Sequence, residues 1–174
     1  MNEMTTQDKK IQYLTMTGIL AAMITLMTAY VCHIPIGTSG GYIHFGDALI
    51  YLGAVLLPKP YAIAAAVIGG GLADLLTAPM WAPATMLIKL LLVLPFTSKT
   101  PKLLNPRNLV ALLVGGVITC LGYFLAEYFL FGTWAVFFAS VFPNMIQATG
   151  SALFFVIFAG ALEKVQFKNK IMKS

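Results

Sequence analysis

Lys89, Glu127, Asn144 and Gln147 lie inside stretches that are otherwise almost wholly apolar. On insertion scales a cation at the centre of a membrane helix costs about 2.5–3.5 kcal/mol, so such residues need partners or a ligand. Helical rise sets their depths. Lys89 is eight residues beyond Trp81, about 12 Å below the interface, and Asn144 is ten beyond Trp134, roughly 15 Å down; Glu127, seven before Trp134, is shallower. With Gln147 they would line one cavity opening on the tryptophan-bearing side. A Lys89–Glu127 ion pair that only satisfies itself is the competing reading. It gives no reason for Asn144 and Gln147, so a ligand cavity is preferred.

Above that cavity the stretch Cys32 to Gly46 carries Thr38, Ser39, Tyr42, His44 and Phe45 between glycines, and such a segment suits a gate. A solvated linker is the alternative. His33, His44 and Asp47 form no recognised ligand spacing, so neither a metal nor any other cofactor is expected. The chain has no GxxxxGK[ST], HExxH, GxSxG or CxxC motif, and GGGLAD at 69–74 falls inside an apolar span rather than after a strand. An enzyme is therefore not expected, and uphill transport would have to draw its energy from another subunit.

The elements that must position these groups are membrane helices. With 174 residues, 59% hydrophobic and 10% charged, and a mean hydropathy of +0.86, the chain lies outside the soluble globular range. Apolar stretches predict six spans in a single domain over 1–174, at about 11–31, 47–57, 61–76, 84–96, 109–131 and 134–162. The second has 11 residues, roughly 17 Å as a helix against a hydrocarbon core of about 30 Å. Either the loop before it is partly re-entrant or its neighbours shield it. Gly69-Gly70-Gly71 predicts a close backbone approach or a local break in the third span.

This threading puts Lys9, Lys10, Lys59, Lys99, Lys102, Arg107, Lys164, Lys168, Lys170 and Lys173 on one side, leaving only Lys89 inside. Cationic connections stay in the cytoplasm, so both termini are expected there, with the basic groups against anionic lipid rather than nucleic acid. Lys9 and Lys10 lead into an apolar stretch too long for a signal core, so a cleaved leader is not expected. Cys32 and Cys120 differ in depth by roughly 15–20 Å, which argues against a disulfide. On the first span Thr15, Gly18, Ala22, Thr25 and Ala29 share one face, and small residues allow close helix approach. That face serves either packing within the bundle or docking of another protein.

The segment His44-Phe45-Gly46-Asp47, its continuation ALIYLGAVLLPKPYAIAAAVIGGGLADLL, and WAPATMLIKLL from Trp81 resemble the S components of energy-coupling factor (ECF) vitamin transporters. They are most similar to the riboflavin-type and hydroxymethylpyrimidine-type branch. Leu57-Pro58 stands where that branch usually has glycine-proline, and the metal-binding N-terminus of the nickel/cobalt branch is missing. The resemblance implies an all-α subunit of six transmembrane helices in a bacterial plasma membrane, working with a membrane T component and two ATPases. It implies docking to the T component through Gly18, Ala22, Thr25 and Ala29. It also implies a ligand beneath the first loop, contacted by the fourth to sixth helices.

The resulting expectation is a subunit that captures a vitamin or vitamin precursor for ATP-driven import. Lys89 and Glu127 meet its polar groups, Asn144 and Gln147 hydrogen-bond a heteroaromatic ring, and Trp81, Tyr42 and Tyr123 enclose it, with His44 and Asp47 beside them. A hydroxymethylpyrimidine or vitamin B6 type of ligand is expected first and riboflavin next. The alternative is a self-sufficient proton-coupled carrier using Glu127 or Asp74.

Overall fold

The computed structural model describes residues 5–31, 33–36, 41–134 and 136–173; Cys32, Thr38, Ser39 and the side chain of Tyr42 lie outside what it describes. Helix α1 (Thr6–Leu26) starts at a capping box: the Thr5 hydroxyl accepts from the Asp8 N–H, and the Asp8 carboxylate accepts from the Thr5 N–H. It continues as a π-helical turn, Met27–Val31. Strands β1 (Ile34–Ile36) and β2 (Gly41–Ile43) then pair antiparallel, with Ile34 opposite Ile43.

Helix α2 (Asp47–Leu56) and helix α3 (Lys59–Thr77) are joined through Pro58, and Pro60 lies in the first turn of α3, where its missing N–H costs nothing. A 3₁₀ turn at Pro79–Trp81 leads into α4 (Ala82–Val93). Helix α5 (Pro106–Phe131) is capped by Asn105 and ends at Gly132, whose φ of 67° is the left-handed conformation that closes a helix. Helix α6 (Val136–Lys164) and the short α7 (Phe167–Lys173) complete the chain.

Among the described residues, four helices are long and apolar enough to cross a membrane: Thr6–Val31, Lys59–Thr77, Pro106–Phe131 and Ser140–Lys164. Their outward faces are apolar; Leu113, Phe129 and Ile157 are 74%, 81% and 69% exposed. Helices α2 and α4 are too short to cross alone. Eight of the ten residues of α2 are buried, so its neighbours shield it on nearly every side. The loop before it is a β-hairpin, which the glycines had concealed. Helix α4 stops at Val93, three residues before the expected end, and α7 falls in what reads as a charged tail.

Of the two readings of the three glycines, the close approach holds and the break does not occur. Helix α3 runs through them, and they serve close approach instead. A Cβ on Gly69 would sit 2.8 Å from the Ala21 carbonyl oxygen and from Ile24 Cβ on α1. The Thr25 hydroxyl stands 2.9 Å from the Ala21 carbonyl oxygen and 3.0 Å from that of Gly69, sealing the same contact. Below, Tyr51, Phe96 and Phe155 form one aromatic cluster; Tyr51 stacks on Phe96 at 5.1 Å and meets Phe155 edge-on at 5.9 Å.

At the cation-rich end, lysines satisfy the carbonyls that helix ends leave open. Lys168 of α7 donates to the carbonyls of Val55, Ser98 and Thr100 at 2.8, 2.6 and 2.7 Å. Lys59 donates to those of Leu94 and Phe96 at 2.5 and 2.8 Å. Asn108, fully buried, donates to the carbonyls of Thr97 and Leu103 and accepts from the Thr97 N–H.

Because a backbone oxygen cannot move aside, Gly69→Ala is expected to destabilise the protein by about 1–3 kcal/mol. Gly18→Ala, where a Cβ meets nothing within 4 Å, is expected to change stability little. Thermal unfolding of the two variants in one detergent compares them.

Candidate functional site

Helix α2 delivers Asp47 at its first turn, buried, and α4 delivers Lys89, also buried. The Lys89 ammonium donates to Asp47 Oδ1 at 2.6 Å. The salt bridge of Lys89 is therefore with Asp47, and the Lys89–Glu127 pair weighed from the sequence is corrected. From α6, Gln147 donates its amide N–H to Asp47 Oδ2 at 3.5 Å and accepts from the His44 backbone N–H at 3.2 Å. One chain of contacts thus links the hairpin, α6, α2 and α4. The stem of Lys89 lies against Gly70 of α3, where a Cβ would come within 2.9 Å of Lys89 Cγ.

Aromatic groups close the cluster on the α5 side. Lys89 Nζ stands 5.4 Å from the centre of the Tyr123 ring, a cation–π distance. The Tyr123 hydroxyl pairs with Thr85 at 3.0 Å. Trp81 is buried and packs edge-on to Tyr123 at 6.5 Å and near Phe131 at 6.3 Å. Asp74, buried at the end of α3, is close enough to act electrostatically on both Lys89 and Tyr123.

The hairpin folds onto this site through two adjacent residues. His44 is buried, and its Nδ1 accepts from the Gly46 N–H at 3.1 Å, which leaves the ring proton on Nε2. Phe45 packs on Phe154 at 5.1 Å, and its ring fills the gap at Gly150, where a Cβ would collide with it. His33 Nδ1–H donates to the Thr28 carbonyl at 3.2 Å, so it points back to α1.

Glu127 and Asn144 form a different group. Both reach Ser140: Asn144 donates to its carbonyl at 2.9 Å, and the Ser140 side chain hydrogen-bonds the half-buried Glu127 carboxylate. Asn144 precedes Gln147 by three residues on α6 and Glu127 follows Tyr123 by four on α5, which places this second group about one helical turn, roughly 5–6 Å, towards the hairpin side. Of the sequence-derived set, the structure brings together His44, Asp47, Trp81, Lys89, Tyr123 and Gln147, with Glu127 and Asn144 one turn away and bonded to Ser140 instead.

The small-residue face of α1 also divides. Gly18 and Ala22 are exposed, whereas Thr25 and Ala29 are buried within the protein. Beside the exposed part, α1, α2 and α6 enclose an entirely apolar groove of about 480 Å³ lined by residues such as Ile19, Met23, Leu52 and Phe158.

A short apolar helix buried among longer ones, a hairpin folded over a buried ion pair, and a basic opposite end describe a membrane binding subunit. The sequence profile of the family described as "ECF-type riboflavin transporter, S component" matches residues 8–164. The chain belongs to that family. This S component is thus a multi-pass membrane protein, the substrate-binding subunit of an ECF transporter, and not an enzyme. A Pyrococcus woesei protein described as "Uncharacterized protein in gap 3'region" is 32% identical over 130 residues, covering 73% of this chain and 86% of its own length. A solved structure titled "Structure and mechanism of the S component of a bacterial ECF transporter" is similar in fold. Its TM-score is 0.70 at 15% identity, over 90% of this chain and 98% of that one.

Removing one member of a buried ion pair strands the other. Lys89→Met in this S component is expected to cost about 3–5 kcal/mol, and adding Asp47→Asn is expected to recover most of it. Unfolding of the single and double variants measures the coupling.

Proposed function

We propose that this S component captures a heteroaromatic vitamin from outside the cell and carries it through the cell membrane with a T component and two ATPases. The observation that carries the reading is the buried convergence of Asp47, Lys89 and Gln147 against Tyr123 and Trp81, beneath a hairpin. Acceptor, cation and amide side by side suit the alternating donors and acceptors of a nitrogen ring, and the aromatic pair suits its faces. Family membership brings riboflavin, whose ring system has such an edge, ahead of the smaller hydroxymethylpyrimidine and vitamin B6 rings. Glu127 and Asn144 guard the approach, and Tyr42 and His44 belong to the lid.

In this reading the six apolar helices are six spans, with α2 and α4 short because the ligand and hairpin occupy the membrane depth above them. Both termini then lie in the cytoplasm with the basic end. The T component docks on Gly18 and Ala22 and the apolar groove beside them, while Thr25 and Ala29 hold α1 to its own bundle.

Binding of riboflavin, hydroxymethylpyrimidine and pyridoxine to the purified protein, followed by quenching of tryptophan fluorescence, tests the ligand. Saturable quenching by riboflavin at the lowest concentration is expected; binding by none of the three would remove the vitamin reading. Ala22→Leu is expected to abolish co-purification with a co-expressed T component and leave riboflavin binding within about twofold. Loss of binding with docking intact would place Ala22 in internal packing instead.

A further inference from the structure

One helical turn below the ion-paired layer stands a second polar layer. Tyr51 follows Asp47 by four residues on α2, Ser151 follows Gln147 by four on α6, and Thr119 precedes Tyr123 by four on α5. All three are fully buried, and none of their hydroxyls has a hydrogen-bond partner. Residues four apart share a helical face, so each hydroxyl continues inward the face that carries its partner above.

Three contacts bring Tyr51 against the faces of α5 and α6 that carry Thr119 and Ser151, and bring α4 to the same level. A Cβ on Gly115, four residues before Thr119 and on the same face of α5, would lie 3.6 Å from the Tyr51 hydroxyl. Phe155, four residues after Ser151 on the same face of α6, meets the Tyr51 ring edge-on. Leu92, three after Lys89, would lie 3.1 Å from that same Gly115 Cβ, so α4 reaches the layer as well. Nearly all buried polar groups in folded proteins are paired, and leaving one unpaired costs stability. Three orphans on three helices at one level, directly beneath a ligand site, are not what packing selects.

We propose that Tyr51, Thr119 and Ser151 form the floor of the ligand site and recognise an uncharged, hydroxyl-rich arm of the ligand; this rests on the vitamin-binding reading above. The chemistry fixes the class. Each hydroxyl both donates and accepts, and the layer contains no ionisable carboxylate or amine, so it matches neutral groups that also do both. A polyol chain fits and a phosphate does not. The ring then lies in the upper layer with Lys89, Asp47 and Gln147, and the chain points down among the three hydroxyls.

Riboflavin and lumiflavin, which has the same ring system with a methyl group in place of the polyol chain, separate the two layers. Tyr51→Phe, Thr119→Val and Ser151→Ala are each expected to weaken riboflavin binding by about three- to tenfold and to leave lumiflavin affinity unchanged. The double variant Lys89→Met, Asp47→Asn is expected to weaken both ligands. Equal loss for the two flavins in the floor variants, or no loss for either, overturns the floor while leaving the upper site standing. Each floor variant is also expected to unfold at a higher temperature than the unaltered protein without ligand, because an orphaned polar group has been removed. A lower unfolding temperature overturns the proposal even if no flavin binds, and failure of the unaltered protein to bind any flavin overturns the substrate reading separately.

Discussion

The ion pair between Asp47 and Lys89 is the interaction on which the site depends. It joins the first residue of α2 to the middle of α4, the two short apolar helices, and orients Gln147, which in turn holds the hairpin through the His44 backbone. A buried ion pair is a poor way to stabilise a protein, since desolvation offsets most of the attraction and apolar replacements of equal size often do better. Its presence in a bundle that could have been closed with leucine therefore points to binding. The pair presents a cation and an anion in fixed positions, and a ligand that bonds to both exchanges one set of partners for another without leaving a charge unpaired.

The two ends of the molecule are built on opposite principles. At the basic end, helix C-termini and loop carbonyls are taken up by Lys59, Lys168 and Asn108. At the hairpin end and just inside it, the unsatisfied groups accumulate: the Trp81 indole N–H and the three hydroxyls of Tyr51, Thr119 and Ser151. A satisfied end resists opening and an unsatisfied one gains from a ligand. In the vitamin-binding reading, exchange of ligand belongs at the hairpin, which is held among other contacts by a hydrogen bond to Gln147 and by the seat of Phe45 against Gly150 and Phe154.

Much of the architecture was legible in the chain because hydropathy reports membrane helices directly. The boundaries of α2, α3 and α5 agree with the apolar runs to within a few residues. What failed to show had physical reasons. The hairpin strands have three residues each and are flanked by glycines, so their alternation is too short to read. Helix α7 is rich in lysine and reads as tail until Lys168 is seen buried against three carbonyls. The partner of Lys89 was not legible because depth was the only coordinate available: a pair with Glu127 could be weighed against a ligand cavity, but the packing of α2 against α4 that brings Asp47 to Lys89 could not be read. Thr119 and Ser151 went unnoticed because a short hydroxyl in an apolar helix is ordinarily satisfied by its own backbone, as Thr17 and Thr77 are here, and Tyr51 because its ring reads as one more apolar group.

The charge count of the site constrains what can enter it. Asp47 and Lys89 cancel, so a ligand that replaces part of their contact without net charge leaves the pair balanced. An anion would gain Lys89 but take it from Asp47, leaving that buried carboxylate without its counter-ion in low dielectric. A cation would face the reverse deficit at Lys89. A neutral ring with its own donors and acceptors escapes both, and one with a polyol chain also reaches the hydroxyls below. If the proposed two-layer site holds, a phosphorylated form of such a vitamin is disfavoured, because its charge would have to settle beside Asp47 or among hydroxyls that lack a counter-ion.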